Sequence, residues 1–516
     1  MKYVSVTSPG SEMSKPIFNY FDDYLVSLGE PATSKAWTLK SILSHTRKLI
    51  NEKQEDSRDI SLYIDSGGFQ IIVGYVSFNR ITEFVDTYHF VLKKFKNEID
   101  RIFALDVFSD TFFERKNIIG ADGKVILKPN GNKLTVPDYP EVYSNEHPAI
   151  IDLYNANKYS MESSIELIKE FPQIADKQLF ILQSGNHLTF NLWRELFTDL
   201  EVYKYYKLWS VGGLVGLKKS TNAKFSHAVP ATLWLLTYQK HFDFTIDQVH
   251  WLGQSSRLSF LSMALFERLY GINMTSDSSQ LVRFAPLDAK LPYIFKEGND
   301  FKLAENKADV IQLMLPKHSI VNARCYISKT HLGTIKELKP DVVLKQDLDV
   351  HPIIEYNKDT FADIIPDEGV IFFSMSPTEY LELTGKLDNQ TFIELQSQNL
   401  DADLHFGNLI ADKIMTVSID SIDEKGIREL HPIMDRGRTA KELYNNIQLF
   451  KQFAPIVEAG DLAAADTIMQ TIVDSYIKES FEEIVEREEI QTKVLEHKKE
   501  TVETIEIKDL VNIEVR

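Results

Sequence analysis

Short apolar segments alternate with longer amphipathic segments through the first part of the 516-residue chain. Apolar strands that alternate with helices are typical of a parallel sheet, because each crossover helix covers a face of that sheet. Seven strands are visible and a further strand fits within Tyr24–Leu28, so the pattern favours a (β/α)₈ TIM barrel over an open sheet. The seven are Tyr3–Thr7, Leu62–Asp65, Ile102–Asp106, Leu179–Gln183, Leu208–Val211, Val249–Leu252 and Ile272–Asp277.

The pattern predicts three parts of the chain, beginning with a barrel domain over residues 1–320. An α+β insertion or accessory region of unassigned role follows over residues 321–430, and a C-terminal helical region with a charged tail over residues 431–516. The predicted barrel helices are Ile81–Phe95, Ser160–Glu170, Ala231–His241 and Ser259–Tyr270. Beyond the barrel, the pattern predicts strands Val342–Leu344, Val370–Ser374 and Lys413–Val417, then a helix from Thr439 to Gly460 with a kink at Pro455, and another from Asp461.

Composition narrows the class of protein. The net charge of −18 argues against broad nonspecific nucleic-acid binding, although a local basic track on an acidic body remains open. One cysteine, Cys325, excludes a disulfide framework and a cysteine-rich zinc site. No apolar signal segment follows Met1, and no apolar run approaches the roughly 18 residues of a membrane helix, so a cytoplasmic location is expected.

Polar residues fall where the predicted strands end, which is where barrel enzymes build their active sites. The first is the motif Asp65-Ser66-Gly67-Gly68-Phe69-Gln70, in which two glycines permit close approach to a flat ligand. Its phenylalanine can stack on that ligand, and its acid can exchange a proton with it. The other polar strand ends are Asp106, Gln183, Gly212-Gly213 and Asp277.

Two carboxylates at strand ends, Asp65 and Asp277, suit a displacement at the anomeric carbon of a sugar. The remaining groups are typical of a pocket for a heterocyclic base. Asp106, Gln183 and the backbone N–H groups of Gly213 and Leu214 can hydrogen-bond the edge of the base. Phe69 and Leu252 can pack against its two faces. Each element alone also has an ordinary interpretation as a helix cap, a tight turn or a core residue. Their order and spacing favour the functional interpretation.

This ordered set resembles the tRNA-guanine transglycosylase superfamily over residues 60–280. The Asp65–Gln70 motif resembles the family's most distinctive motif, and Leu182-Gln183-Ser184-Gly185 its Gln-Gly strand end. Further similarities lie in Ala104-Leu105-Asp106, Val211-Gly212-Gly213-Leu214, Trp251-Leu252-Gly253 and the segment from Gly271-Ile272 to Asp277-Ser278-Ser279.

The resemblance implies a role for each matched residue. Asp277 attacks C1′ of the nucleoside and expels guanine, leaving a covalent sugar ester, and Asp65 is the general acid and base. A 7-deazaguanine then attacks C1′ and releases the enzyme. Ser66, Gly67 and Gly68 lie in the base pocket, the edge of the base is read by Asp106, Gln183, Gly212, Gly213 and Leu214, and its faces lie between Phe69 and Leu252.

The chain departs from the family pattern in three places. One extra residue separates Gly271 from Asp277, and Lys218 and Lys219 stand where the bacterial tRNA enzymes place a glutamate. The family's zinc ligands, three cysteines and a histidine, are missing, and Cys325 has only His318 and His331 nearby. We therefore expect no zinc and no other cofactor.

These departures favour the phage and bacterial DNA-guanine transglycosylase branch of the superfamily. The expected substrates are then DNA and a 7-deazaguanine base. If the chain is phage-encoded, the expected location is the host cytoplasm. Exchange into tRNA is the first alternative, a catalytically silent partner subunit the second and a glycoside hydrolase the third. A second copy of the chain or an accessory protein stays open as a partner. Basic candidates for contact with the nucleic-acid backbone are Lys124, Lys128, Lys133, Lys218, Lys219, Arg257 and Arg283. A β-hairpin is predicted around Pro129-Asn130-Gly131-Asn132, and the alternative for its lysines is that they protect the exposed edges of the hairpin. The alternative for Lys218 and Lys219 is a position on a solvated loop.

Overall fold

The computed structural model describes the barrel and a set of helices that pack on it. The described residues are 1–7, 23–27, 44, 47, 51, 61–65, 81–105, 107, 112–119, 123–125, 133, 135–138, 146–183, 187–212, 228–278, 294–297, 300–303, 324–327, 343–346, 352–355, 371–374, 389–430 and 437–472. None of the described helices combines the length and apolar character that crossing a membrane requires.

Eight parallel strands close into a barrel in which each strand pairs with its neighbours in chain order and the last pairs with the first. The prediction of a (β/α)₈ barrel is confirmed, including the strand expected near Tyr24. In chain order the strands are β1 (Lys2–Thr7), β2 (Asp23–Ser27), β3 (Ser61–Asp65), β4 (Arg101–Phe103), β5 (Gln178–Gln183), β6 (Leu208–Gly212), β7 (Gln248–Trp251) and β8 (Asn273–Ser278).

Within the described part of the chain, five helices of the barrel accompany these strands. They are α1 (Ile81–Phe95), α2 (Pro148–Glu170), α3 (His187–Asp199), α4 (Ala228–Phe242) and α5 (Arg257–Tyr270). Helix α5, which connects β7 to β8, has clear end signals: the Ser256 hydroxyl accepts a hydrogen bond from the Ser259 N–H at 3.1 Å, and Gly271 ends the helix at φ +69°. The sequence thus sets both ends of the helix between β7 and β8.

Side chains alternate between the barrel interior and the helix-facing outside, as the period of a strand requires. On β3, Tyr63 points inward, whereas Leu62 and Ile64 pack outward against α1. One buried cluster fills the interior, made of Val4, Leu25, Tyr63, Phe103, Leu179, Ile181 and Leu208, with Val6 and Leu252 packed against it. The interior is thus a packed core, and ligands are confined to its ends.

Helices α6 (Asn389–Val417), α7 (Glu424–Glu429) and α8 (Gly437–Ala459) pack against the barrel helices or against each other. Helix α6 lies on α5, and α8 lies on both α4 and α5, where the rings of Phe450 and Phe266 are 4.7 Å apart. The predicted helix from Thr439, with Pro455 inside it, is confirmed. Residues 462–472 are also helical, and Asp466 ties them to the barrel by accepting a 2.7 Å hydrogen bond from Trp234 and pairing with Arg194.

The predicted strand Lys413–Val417 is wrong, because these residues form the last turns of α6. Phe406, Ile410 and Ile414 recur at helical spacing and are fully buried in the same cluster as α5. A short apolar run can suit either a strand or a helix, and here the longer 3.6-residue period decides.

Other strands lie outside the barrel. Strands Val343–Gln346, Pro352–Glu355, Arg324–Ile327 and Ile371–Ser374 form an antiparallel sheet in that order, which includes the predicted strands at residues 342–344 and 370–374. Strands Ile294–Glu297 and Asp300–Leu303 also pair, as do Arg115–Asn117 and Thr135–Pro137. The turn predicted around residues 129–132 lies outside the described residues, and the division of the chain into three parts stays a prediction.

The contact between α6 and α5 depends on a glycine. A Cβ atom on Gly407 would lie 2.9 Å from backbone atoms of Phe260 and Leu261, and these cannot move without shifting α5. We expect Gly407→Ala to lower the free energy of unfolding by about 1–3 kcal/mol through overpacking, despite the better helix propensity of alanine. Urea denaturation checks this, with His405→Ala on the exposed side of α6 as a control expected to stay within about 0.5 kcal/mol of the parent. An alanine variant as stable as the parent would contradict this account of the contact.

Candidate active site at the carboxyl end of the barrel

Four of the sequence-predicted residues lie at the carboxyl ends of barrel strands on the inward-facing register. Asp65 ends β3, two positions after the interior residue Tyr63, and Gln183 ends β5, two positions after the interior residue Ile181. Gly212 ends β6 opposite Gln183 in the strand register. Because all strands of the barrel are parallel, these positions and Asp277 meet at one end of it.

Asp277 is the best-defined member of the site. The residue is 8% exposed, and its Oδ1 atom lies 3.0 Å from His250 Nε2 on the neighbouring strand β7. The same oxygen accepts a hydrogen bond of 2.9 Å from the backbone N–H of Gly253, in the turn after β7. Two contacts to one oxygen restrict the orientation of the carboxylate, and both are made by Oδ1.

His250 was missed by the sequence analysis, although it contacts the predicted nucleophile. It lies between Val249 and Trp251, and its side chain is fully buried inside the barrel, with its ring centroid 4.8 Å from that of Phe103 and 6.2 Å from that of Tyr63. Its position along the predicted strand β7 could have identified it. His250 is two residues before Leu252, so both face the interior, and β7 is the neighbour of the strand that carries Asp277.

A file of polar side chains continues from His250 towards the amino end of the barrel. His250 Nδ1 lies 2.9 Å from the Thr275 hydroxyl, which accepts a 2.9 Å hydrogen bond from Gln248 Nε2. The Gln248 carbonyl oxygen accepts a 3.0 Å hydrogen bond from Arg101 Nε. We call these side chains, from Arg101 through Gln248, Thr275 and His250 to Asp277, the polar file.

Tyr63 lies beside the polar file, and its phenol hydrogen-bonds Gln248. Burial, and after it the negative charge of Asp23, raise the pKa of Tyr63 well above its usual value. The phenol is therefore neutral at physiological pH and contributes a hydrogen-bonding group, not a charge. Leu252 packs against the top of the interior cluster, where it can contact a ligand that enters from the carboxyl end.

Several predicted residues lie outside the described residues, so their placement stays a prediction. These are Ser66, Gly67, Gly68, Phe69, Asp106, Gly213, Leu214, Lys128, Lys218, Lys219 and Arg283. Lys124 and Lys133 are described and exposed. Arg257 is engaged within the protein, with Nε 2.7 Å from Asp403 Oδ1 and the guanidinium 5.2 Å from the centre of the Phe406 ring. This pairing joins α5 to α6, and contact of Arg257 with phosphate stays a prediction.

Among the described residues, no group of three or more histidine, cysteine, aspartate and glutamate side chains is arranged to hold a metal ion. Cys325 lies in an antiparallel sheet strand, whereas His318 and His331 are outside the described part of the chain. No protein-family model matches this sequence, and no curated protein matches it either.

The turn that holds Asp277 requires a backbone conformation that suits glycine, because Gly253 has φ +66°. Gly253→Ala should lower the free energy of unfolding by about 1–2 kcal/mol through left-handed strain alone. Gly271→Ala is a matched control, with φ +69° and no atom within 4 Å of its added Cβ. We expect Gly253→Ala to cost at least as much as Gly271→Ala in urea unfolding, since relaxing the turn also breaks the hydrogen bond to Asp277. A smaller cost at Gly253 would show that this turn does not constrain the carboxylate.

Proposed function

We propose that this protein is a base-exchange transglycosylase that replaces guanine in DNA with a 7-deazaguanine derivative. One observation carries the proposal: Asp277 is held at the carboxyl end of the barrel by His250 and Gly253, on the same rim as Asp65. An oriented, poorly exposed carboxylate is the kind of group that forms a covalent intermediate with a sugar. The resemblance of the motifs around both acids to the guanine transglycosylases gives the site its substrate class.

The proposed reaction proceeds by two displacements at C1′. Asp277 Oδ2 attacks C1′ as the C1′–N9 bond breaks, and the electron pair of that bond leaves with guanine, which takes a proton from Asp65. Asp65 then removes the N9 proton of the incoming 7-deazaguanine, whose N9 attacks C1′ and breaks the ester. Asp277 recovers its carboxylate, and two inversions give net retention at C1′. The sequence of steps consumes no oxidant and no nucleoside triphosphate.

The remaining inward-facing groups supply the base pocket in this proposal. Gln183 and Gly212 are paired in register at the ends of β5 and β6, so the amide and the following backbone can be directed at one edge of a base. Leu252 lies beside the interior cluster and offers an apolar surface to one face of the base. Asp106, Phe69, Gly213 and Leu214 complete the pocket in the proposal on the strength of the motif resemblance.

DNA is the favoured polymer because the chain lacks the zinc-ligand set that accompanies tRNA binding in the family it resembles. A guanine in duplex DNA would have to be extruded from the stack, at a cost of a few kcal/mol, to reach a pocket at the end of a barrel. With a net charge of −18, the protein needs a local basic track for the backbone, and exposed Lys124 and Lys133 are described candidates for it. Exchange into tRNA is the second candidate function, favoured by the same motifs.

Isotopically labelled guanine offered with duplex DNA or with bulk tRNA tests the proposal and separates the two polymers. Label that enters DNA supports the proposal, and label that enters tRNA alone supports the second candidate. Label in neither polymer would overturn both and favour a silent partner subunit or a hydrolase.

The nucleophile is tested with Asp277→Asn and Asp277→Ala. Both variants should abolish exchange and any denaturant-stable protein–DNA adduct. The asparagine variant keeps a carbonyl oxygen that can accept hydrogen bonds from His250 and Gly253, so its free energy of unfolding should stay close to that of the parent. It therefore serves as the folded control for the alanine variant. Exchange at the parent rate by either variant would contradict the assignment.

The proton-transfer role is tested with Asp65→Asn and Asp65→Ala. Asp65 both protonates the leaving guanine and deprotonates the incoming base, so its loss should slow adduct formation as well as turnover, each on the order of 10²-fold or more. Rapid-quench measurement of adduct formation and of turnover checks both rates. Parent-like turnover in both variants would assign the proton transfer to another group.

A further inference from the structure

We propose that His250 is the positioning residue for Asp277, and that the polar file from Arg101 determines which nitrogen of the imidazole carries the proton. The positioning role rests on the proposed function, because it treats Asp277 as the nucleophile. The order of donors and acceptors along the file is a property of the folded chain and can be measured without any substrate.

The first step of the file orients the Gln248 side chain. A guanidinium has only donors, so Arg101 Nε must donate to the carbonyl oxygen of Gln248, and the two atoms are 3.0 Å apart. This contact distinguishes the two ends of the amide and directs its NH₂ group at Thr275, whose hydroxyl oxygen is 2.9 Å away. Because that NH₂ group also has only donors, Thr275 is the acceptor.

The second step sets the tautomer of the imidazole. The Thr275 hydroxyl has one proton, and His250 Nδ1 lies 2.9 Å from its oxygen. When the hydroxyl donates that proton, Nδ1 accepts, and the ring of a neutral imidazole carries its own proton on Nε2. Nε2 then donates to Asp277 Oδ1 at 3.0 Å, so each bond in the file points from the arginine to the carboxylate.

Because His250 is buried, the order of donors and acceptors along the polar file has a large energetic effect. The side chain of His250 is 0% exposed, so bulk water does not compete for its two nitrogens. In such a setting aligned hydrogen bonds polarise one another, and each donor in the file strengthens the next. The opposite tautomer would place the lone pair of Nε2 against Asp277 Oδ1 and would orphan a buried N–H or hydroxyl proton, which is costly.

The consequence for the proposed reaction is that one oxygen of the Asp277 carboxylate is held by hydrogen bonds. His250 and Gly253 both contact Oδ1, so the carboxylate cannot rotate freely about its Cβ–Cγ bond. In the proposed reaction Oδ2 is then the attacking atom. Small errors in such an alignment are expensive, since misplacement by about 1 Å can lower a rate on the order of 10²-fold.

Nitrogen-15 NMR of the histidine-labelled, full-length protein at neutral pH tests the file directly, with His250→Gln used to assign the signals. The expected result is a pyrrole-like Nε2, a pyridine-like Nδ1 and an Nε2 proton that exchanges slowly with water. A proton on Nδ1 alone, or on both nitrogens, would overturn the proposed order of donors.

Substitutions at Thr275 test whether the file matters for the reaction. Thr275→Val preserves shape but removes the hydroxyl, and we expect kcat to fall about 10-fold with the KM for base and DNA changed less than about 2-fold. The Nε2 proton should also exchange faster with water. Thr275→Ser restores the hydroxyl and should recover both properties. The control, Thr237→Val, removes an equally buried hydroxyl that bonds only Leu233 O at 3.0 Å among the described contacts, and it should behave like the parent.

A second pair of variants keeps the test informative if Thr275→Val folds poorly. His250→Gln retains an N–H donor for Asp277, whereas His250→Phe fills the space without one, and we expect kcat of the first to exceed that of the second about 10-fold. Equal kcat values in this pair, or a parent-like kcat in folded Thr275→Val, would overturn the positioning role.

Failure of this inference is distinguishable from failure of the proposed function. A parent protein that exchanges no base with DNA or tRNA contradicts the proposed function, whatever the NMR signals show. A parent protein that exchanges base, with a His250 proton on the wrong nitrogen and a fully active Thr275→Val, contradicts only the polar file.

Discussion

Closure of the barrel is the constraint on which the rest of the structure depends. Once eight parallel strands form a closed ring, every second side chain of each strand points into a space that bulk water does not fill. A polar side chain in that space must find its partners among the other inward-facing residues. Gln248 and His250 on β7 and Thr275 and Asp277 on β8 satisfy this requirement by bonding across neighbouring strands.

An apolar interior would be simpler to build, so the polar file calls for an explanation. Branched apolar side chains fill most barrels of this kind, and buried polar groups contribute little net stability even when they are fully paired. The file here connects a partly buried guanidinium near the amino end with a carboxylate at the carboxyl end. Its members therefore make more sense as support for Asp277 than as support for the fold.

The sequence was sufficient to predict the barrel because its strands are short apolar runs with polar residues at their ends. The same periodicity located Asp65, Gln183, Gly212 and Asp277 at the correct ends of their strands, and the structure places them on the inward-facing register. Lys413–Val417 was misassigned because a five-residue segment with three apolar residues fits either period, and only the longer stripe through Phe406 and Ile410 shows that the segment is helical.

His250 illustrates what the sequence could not supply. A single histidine inside an apolar strand is ordinary, and its meaning depends on which strand lies beside it and at what register. His250 pairs with Thr275 on the adjacent strand, and Asp277 lies two residues after Thr275 on that strand. Such a relation joins positions 27 residues apart and becomes visible only when the barrel is assembled.

The geometry at Asp277 also reconciles two demands that oppose each other. Hydrogen bonds to a carboxylate lower the electron density available for attack, yet a carboxylate without them is free to rotate. In the proposed order of donors, His250 and Gly253 both donate to Oδ1, so their electronic effect falls mainly on one oxygen while the carboxylate is kept from rotating freely. The turn that brings the Gly253 N–H to Oδ1 has φ +66°, a conformation that glycine adopts without the strain that other residues would carry.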